Sequence, residues 1–163
     1  MSMMDAVAPL AAIALIAAAL HDMVARTIPN AIPAFVALLG LALRAAEGDL
    51  AWGLLAFVLV FAVAAIAWRY HVMGGGDVKL LAACALLPPP GSVADMLVAI
   101  ALAGGALSLV YLAFRGRRPL PIPPRAVSLP ARAFRAEVWR LRRGGPLPYG
   151  VAICGGVLLT LAG

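Results

Sequence analysis

Charge is what this sequence has least of. Only 12% of its 163 residues are Asp, Glu, Lys or Arg, 64% are hydrophobic, and the mean hydropathy is +1.02. Water-soluble domains carry about a quarter charged residues. The shortfall argues against a water-soluble chain and leaves no room for a separate large soluble domain. Short alternating segments, the mark of a membrane β-barrel, are also missing, and the apolar runs are continuous instead. Cysteine is scarce: Cys84 and Cys154 lie inside apolar runs with no CxxC partner. That speaks against a disulfide framework or a zinc site and leaves two small packing residues. The opening MSMMDAVAP holds an acid and no Lys or Arg. A cleavable signal needs a basic start, so a retained first span is expected. There is no internal repeat.

What is present is a series of apolar segments cut by polar and proline-rich breaks. Their composition predicts an all-α, polytopic integral membrane protein, since a spanning backbone must satisfy its own hydrogen bonds. About six transmembrane helices are expected, over roughly 4–21, 31–44, 50–68, 78–88, 93–114 and 147–162, in a single membrane domain covering 1–163. The second, fourth and sixth are short and call for tilt or a thinned bilayer. Pro88, Pro89 and Pro90 stop the fourth.

Basic residues set the expected orientation. Arg26, Arg69, Lys79 and the nine arginines of 115–146 fall on one side of a six-span chain, and Arg44 stands alone on the other. The positive-inside rule then places both termini outside, with Asp22, Asp77 and the long loop facing the cytoplasm. Within 115–146 a proline-rich stretch leads to a short basic helix. Phe134, Val138 and Leu141 share one face of it, and Arg132, Arg135 and Arg142 another. This pattern suits a helix lying on anionic lipid headgroups; docking of a protein partner is the other reading.

With seven acidic residues, each can be weighed. Asp5, Glu47, Asp49 and Asp95 read as caps and solvated helix ends. Glu137 sits among arginines and is expected to pair with them. Asp22 and Asp77 differ, because both lie where an apolar span meets the basic side. Their plain readings are a helix-end residue near Arg26 and an N-cap on the helix from 78. Their functional reading is a pair of facing carboxylates that share one proton, so that one activates water while the other donates a proton. Gly74, Gly75 and Gly76 are expected to give the backbone conformations closed to other residues and to let a substrate strand approach.

The residues also carry a resemblance. Gly74-Gly75-Gly76-Asp77, followed by Lys79, resembles the GxGD motif of intramembrane aspartyl proteases in the prepilin leader peptidase branch, the type IV prepilin peptidase family. Asp22, Arg26, Ile28, Pro29 and Asn30 are similar to that family's first aspartate motif, and Leu147-Pro148-Tyr149-Gly150 to its ending. The resemblance implies an aspartic endopeptidase with Asp22 and Asp77 as its catalytic dyad, and with neither metal nor cofactor. Gly74 and Gly76 would shape the loop carrying Asp77. Lys79 and Arg26 would balance local charge or meet a substrate carboxylate, unless they are simply basic residues reaching the interface. The implied substrate is a prepilin or pseudopilin with a short basic leader and an apolar helix, cut at the cytoplasmic face of a bacterial inner membrane. Nucleic acid has no part in it. The chain lacks the CxxC-bearing domain of bifunctional relatives, so it resembles the short form found with tight-adherence (Flp) pili, and cleavage without N-methylation is implied. The archaeal preflagellin-type peptidase is a rival within the class. Two rivals outside it are a metal-dependent or cation-coupled membrane protein, using His21 and His71 with the aspartates, and a non-catalytic membrane assembly subunit.

Overall fold

Residues 3–114 and 147–162 are described by the structure, a computed structural model. The basic helix expected within 115–146, and Glu137 with it, lie outside the described residues. Among the described residues the chain is all-helical, without strands, and forms six α-helices.

Helix α1 (Met3–Ala25) buries Val7, Ala11, Ala14, Leu15, Ala18 and Asp22. These recur at three- and four-residue spacing, so they form one stripe toward the bundle and leave the remaining apolar face for lipid. Asp22 closes that stripe, which is why it points inward. Helix α2 (Ala31–Glu47) starts after Pro29-Asn30 and ends at Gly48, where φ is +78°. Only glycine takes that conformation without strain. The Gly48 and Asp49 N–H groups then close the helix end onto the carbonyls of Ala45 and Arg44. Helix α3 (Leu50–Arg69) follows at once. Helix α4 (Gly75–Cys84) unwinds through tighter turns at 85–87 before Pro88, Pro89 and Pro90. Helix α5 spans Val93–Phe114, and α6 spans Tyr149–Ala162.

Three helices are long and apolar enough to cross a membrane: α1, α3, and α5 with the short turn before it. Each reaches the roughly 20 residues that a ~30 Å hydrocarbon core requires. Helices α2, α4 and α6, of 17, 10 and 14 residues, are shorter.

The shortest helix lies at the centre. Helix α4 packs on α2, α3 and α6, while α1 packs on α2 and α6, and α5 on α6. Small residues make these approaches close, as helix packing in lipid requires. A side chain at Gly40 would collide with Leu86, and one at Gly156 with the Ile100 backbone. Cys84 and Cys154 are free and buried, and the Cys154 thiol donates to the Leu15 carbonyl at 2.8 Å.

Arg44 corrects the expectation that Glu47 and Asp49 are merely solvated ends. Its side chain is 1% exposed and pairs with Glu47 at 2.8 Å and Asp49 at 2.7 Å. It also donates to the Leu87 carbonyl at 3.3 Å, and Gly53 makes room for its aliphatic stem. A guanidinium buried in an apolar bundle requires such partners. Arg44 thereby ties the α2–α3 turn to the end of α4.

Candidate active site

At the end of the bundle opposite Arg44, the C-termini of α1 and α3 meet the N-termini of α2, α4 and α6. The three segments singled out in the sequence converge here: 22–30, 74–79 and 147–150. Three helix N-termini carry partial positive charge toward this end, a favourable setting for carboxylates.

Asp22 and Asp77 are both buried, 6% and 9% exposed. They stand near enough for the Asp22 charge to act on Asp77. Asp22 accepts a hydrogen bond from the Gly150 N–H, 3.0 Å to Oδ2. Gly150 is there because nothing larger fits: a Cβ would lie 2.9 Å from Asp22 Oδ2 and 3.0 Å from its Cβ. Pro148, at the mouth of α6, is buried beside it.

Asp77 is not the N-cap expected from the sequence. Helix α4 opens at Gly75, so Gly74 is the cap and Asp77 is the third helical residue. From that position it reaches back to accept from the Gly74 N–H, the acid half of a capping box. Its other oxygen, Oδ1, is buried and has no hydrogen-bond partner among the described residues. Asp77 lies outside the three long apolar helices and just ahead of the apolar stretch 78–88. Burial pushes its carboxyl up from 3.8 to about 6, the Asp22 charge adds to this, and the Gly74 N–H and Arg26 oppose it.

The glycines act through space rather than unusual backbone. Gly74 has φ −74°, and among the described glycines only Gly48 has positive φ, which corrects the expectation of forbidden conformations at 74–76. A Cβ on Gly76 would sit 3.1 Å from the Ile28 side chain and 3.3 Å from its backbone nitrogen. A Cβ on Gly75 would sit 3.4 Å from the Trp68 indole nitrogen. So Gly76 lets the Asp77 segment lie directly on the Ile28-Pro29-Asn30 segment. Lys79 Nζ then donates to Asn30 Oδ1 at 2.8 Å, a second tie between the same two segments. The left-handed conformations belong to Arg26 (φ 56°) and His71 (φ 58°), at the turns that close α1 and α3. Non-glycine residues adopt that region rarely, and often at functional sites.

His21 and His71 do not join the aspartates in a ligand set. His21 Nδ1 lies 2.6 Å from the Thr27 carbonyl, within its own turn, and His71 is exposed. Among the described residues no three His, Cys, Asp or Glu side chains group as a metal centre requires. Beside the dyad, a cavity of about 270 Å³ opens between α4, α5 and α6, bounded by Met73, Leu81, Gly104, Pro148 and Tyr149. Met73 and Leu81 also floor an apolar groove running along α3.

Two contacts were beyond the sequence reading: Gly150 on Asp22, and Lys79 on Asn30. Proximity of the motifs to each aspartate was the only signal, and it did not say which atom meets which.

Among known protein families, the model of the type IV leader peptidase family matches residues 10–110. No curated protein and no solved structure matches the chain. The matched stretch contains Asp22, Ile28-Pro29-Asn30 and Gly74–Lys79. Gly150 lies beyond it.

Proposed function

The chain belongs to the type IV leader peptidase family, and from that we propose that it is an aspartic endopeptidase acting through Asp22 and Asp77. The observation that carries this reading is the burial of the two carboxylates together at one end of the bundle, close enough for one charge to shift the other. Such a pair holds one proton between its members. The ionised carboxylate takes a proton from water as the water oxygen bonds to the scissile carbonyl carbon. The protonated carboxyl gives its proton to the carbonyl oxygen. The tetrahedral adduct then collapses: the C–N bond breaks, the amine leaves with the proton taken from water, and a hydroxyl of the adduct returns its proton to the other carboxylate, which restores the singly protonated pair. No step uses a metal, and neither histidine takes part.

The substrate is a prepilin or pseudopilin. Its apolar helix lies along the groove floored by Met73 and Leu81, one helical turn from Asp77, and its basic leader extends into the cytoplasm. Six membrane crossings in one domain, the fourth over 78–88 just past Asp77, with a thinned bilayer at the second, fourth and sixth, account for the short helices. Arg26, Arg69, Lys79 and the arginines of 115–146 then face the cytoplasm of a bacterial inner membrane, both termini lie outside, and the arginine-rich loop rests on anionic lipid. Because no CxxC pair occurs among the 163 residues, methylation of the new N-terminus is not part of this reading.

The test is cleavage by the purified chain in lipid vesicles. A Flp-type prepilin is the substrate, a chelator is present, and the product N-terminus is sequenced. A single cut between the leader and the apolar helix, unchanged by the chelator, is expected. A cut that needs an added metal ion would contradict the proposal.

A further inference from the structure

The two aspartates are not held alike. Asp22 Oδ2 receives an N–H from Gly150 at the start of a 14-residue helix. An oxygen in line with an N–H presents a lone pair, so it is not the oxygen that carries a proton. Asp77 receives one N–H, from Gly74, and keeps Oδ1 buried with no partner among the described residues. A buried, bare carboxylate oxygen costs far more than a hydroxyl in the same place. That hydroxyl is also free to turn toward a carbonyl oxygen.

We infer that α6 makes the dyad asymmetric: the Gly150 N–H positions Asp22 as the member that activates water, and Asp77 carries the shared proton. This rests on the dyad reading above and assigns the roles within it. Gly150 is a positioning residue, since it touches Asp22 and not the substrate. Repulsion between Asp22 and Asp77 keeps one proton on the pair, and burial, the largest influence on Asp77, favours its neutral form over the opposing Gly74 N–H and Arg26. Cys154, also near both aspartates, turns its thiol to the Leu15 carbonyl. The close fit explains why position 150 is glycine: a Cβ 2.9 Å from Oδ2 would push Asp22 off the N–H.

The assignment is tested by locating the proton. Dicyclohexylcarbodiimide reacts only with a protonated carboxyl. The acid proton moves to the carbodiimide nitrogen, the carboxylate oxygen bonds to its central carbon, and the adduct rearranges to a stable N-acylurea. The full chain in lipid vesicles at pH 6 is treated, digested and read by mass spectrometry. Asp77 is expected to be labelled in clear excess over Asp22, because the pair's one proton resides on it. Equal labelling, or an excess on Asp22, would overturn the assignment. In Gly150→Ala, labelling on Asp22 is expected to rise and kcat to fall about tenfold with KM unchanged. Wild-type labelling and kcat in that variant would overturn the positioning role. Should Gly150→Ala fail to accumulate in the membrane, the wild-type labelling ratio still decides. Failure of the dyad reading looks different: cleavage would persist in Asp22→Asn or Asp77→Asn, whatever the labelling.

Discussion

Lys79 Nζ donates a 2.8 Å hydrogen bond to Asn30 Oδ1, joining residues 49 apart in sequence. The bond ties the start of α2 to the start of α4, and so the segment after Asp22 to the segment holding Asp77. Both partners are exposed, so water screens the contact, and a strength of about 0.5–1 kcal/mol is expected. Lys79→Met and Asn30→Ala should each slow cleavage about two- to fivefold. The double variant should be no slower than the worse single one, because both remove the same bond. Additive losses in a double-mutant cycle would show that Lys79 acts elsewhere.

Gly76 is the tightest point between the two motif segments. An added Cβ would press on both the side chain and the backbone of Ile28. Overpacking of this kind costs about 1–3 kcal/mol. Gly76→Ala should therefore cut the cleavage rate tenfold or more, and Gly76→Val should abolish it. Gly91, whose Cβ would meet nothing within 4 Å, is the control. Gly91→Ala should leave the rate unchanged in the same prepilin assay.

Activity should depend on pH through Asp77. Its pKa is raised to about 6, first by burial and second by the Asp22 charge. Below that value the pair keeps its proton. As pH rises through it, both carboxylates become charged and the acid of the mechanism is lost. The kcat/KM profile is therefore expected to fall on its alkaline side from about pH 6, approaching tenfold per unit. Asp22→Asn removes the smaller raising cause. The pH dependence of carbodiimide labelling at Asp77 should then shift to lower pH but stay above the ordinary carboxyl range, because burial persists. No shift would mean that the two aspartates do not interact.

At the far end of the bundle, exposure ranks the two partners of Arg44. Glu47 is 42% exposed and Asp49 28%. The more solvated pair contributes less, about 0–1 kcal/mol. Losing the better-buried charged hydrogen bond costs about 1.5–3 kcal/mol. Asp49→Asn should lower the unfolding temperature in detergent more than Glu47→Gln, and neither should change kcat of the folded fraction. The reverse order would mean that Glu47 is the main partner of Arg44.

Much of this arrangement is visible in the sequence because its causes are local. Pro29, Gly48 and the proline run 88–90 interrupt apolar stretches, and the helices break there. The inward direction of Asp22 follows from its register with Val7, Ala11, Leu15 and Ala18. The start of α4 was misplaced for a local reason too. Three glycines read as a loop, yet Gly75 and Gly76 enter the helix because Asp77 caps it from within by reaching back to Gly74. What could not be read depends on distance in sequence. Gly150 meets Asp22 across 128 residues, and Arg44 meets the Leu87 carbonyl across 43. No spacing rule links such pairs. Arg44 could be seen to have Glu47 one turn away, but its burial comes from α4 and Gly53. The glycine motif shows the same limit. Its composition suggested unusual backbone, whereas its use is room for Ile28, which only the packed structure reveals.

The most direct test of the dyad is cleavage of a co-expressed Flp-type prepilin by the wild type, Asp22→Asn and Asp77→Asn, followed by gel shift and N-terminal sequencing. Asparagine keeps the shape of aspartate but cannot share a proton. Processing by the wild type alone, with both variants accumulating in the membrane at wild-type levels, is the result the account predicts. Processing at the wild-type rate by either variant would contradict it.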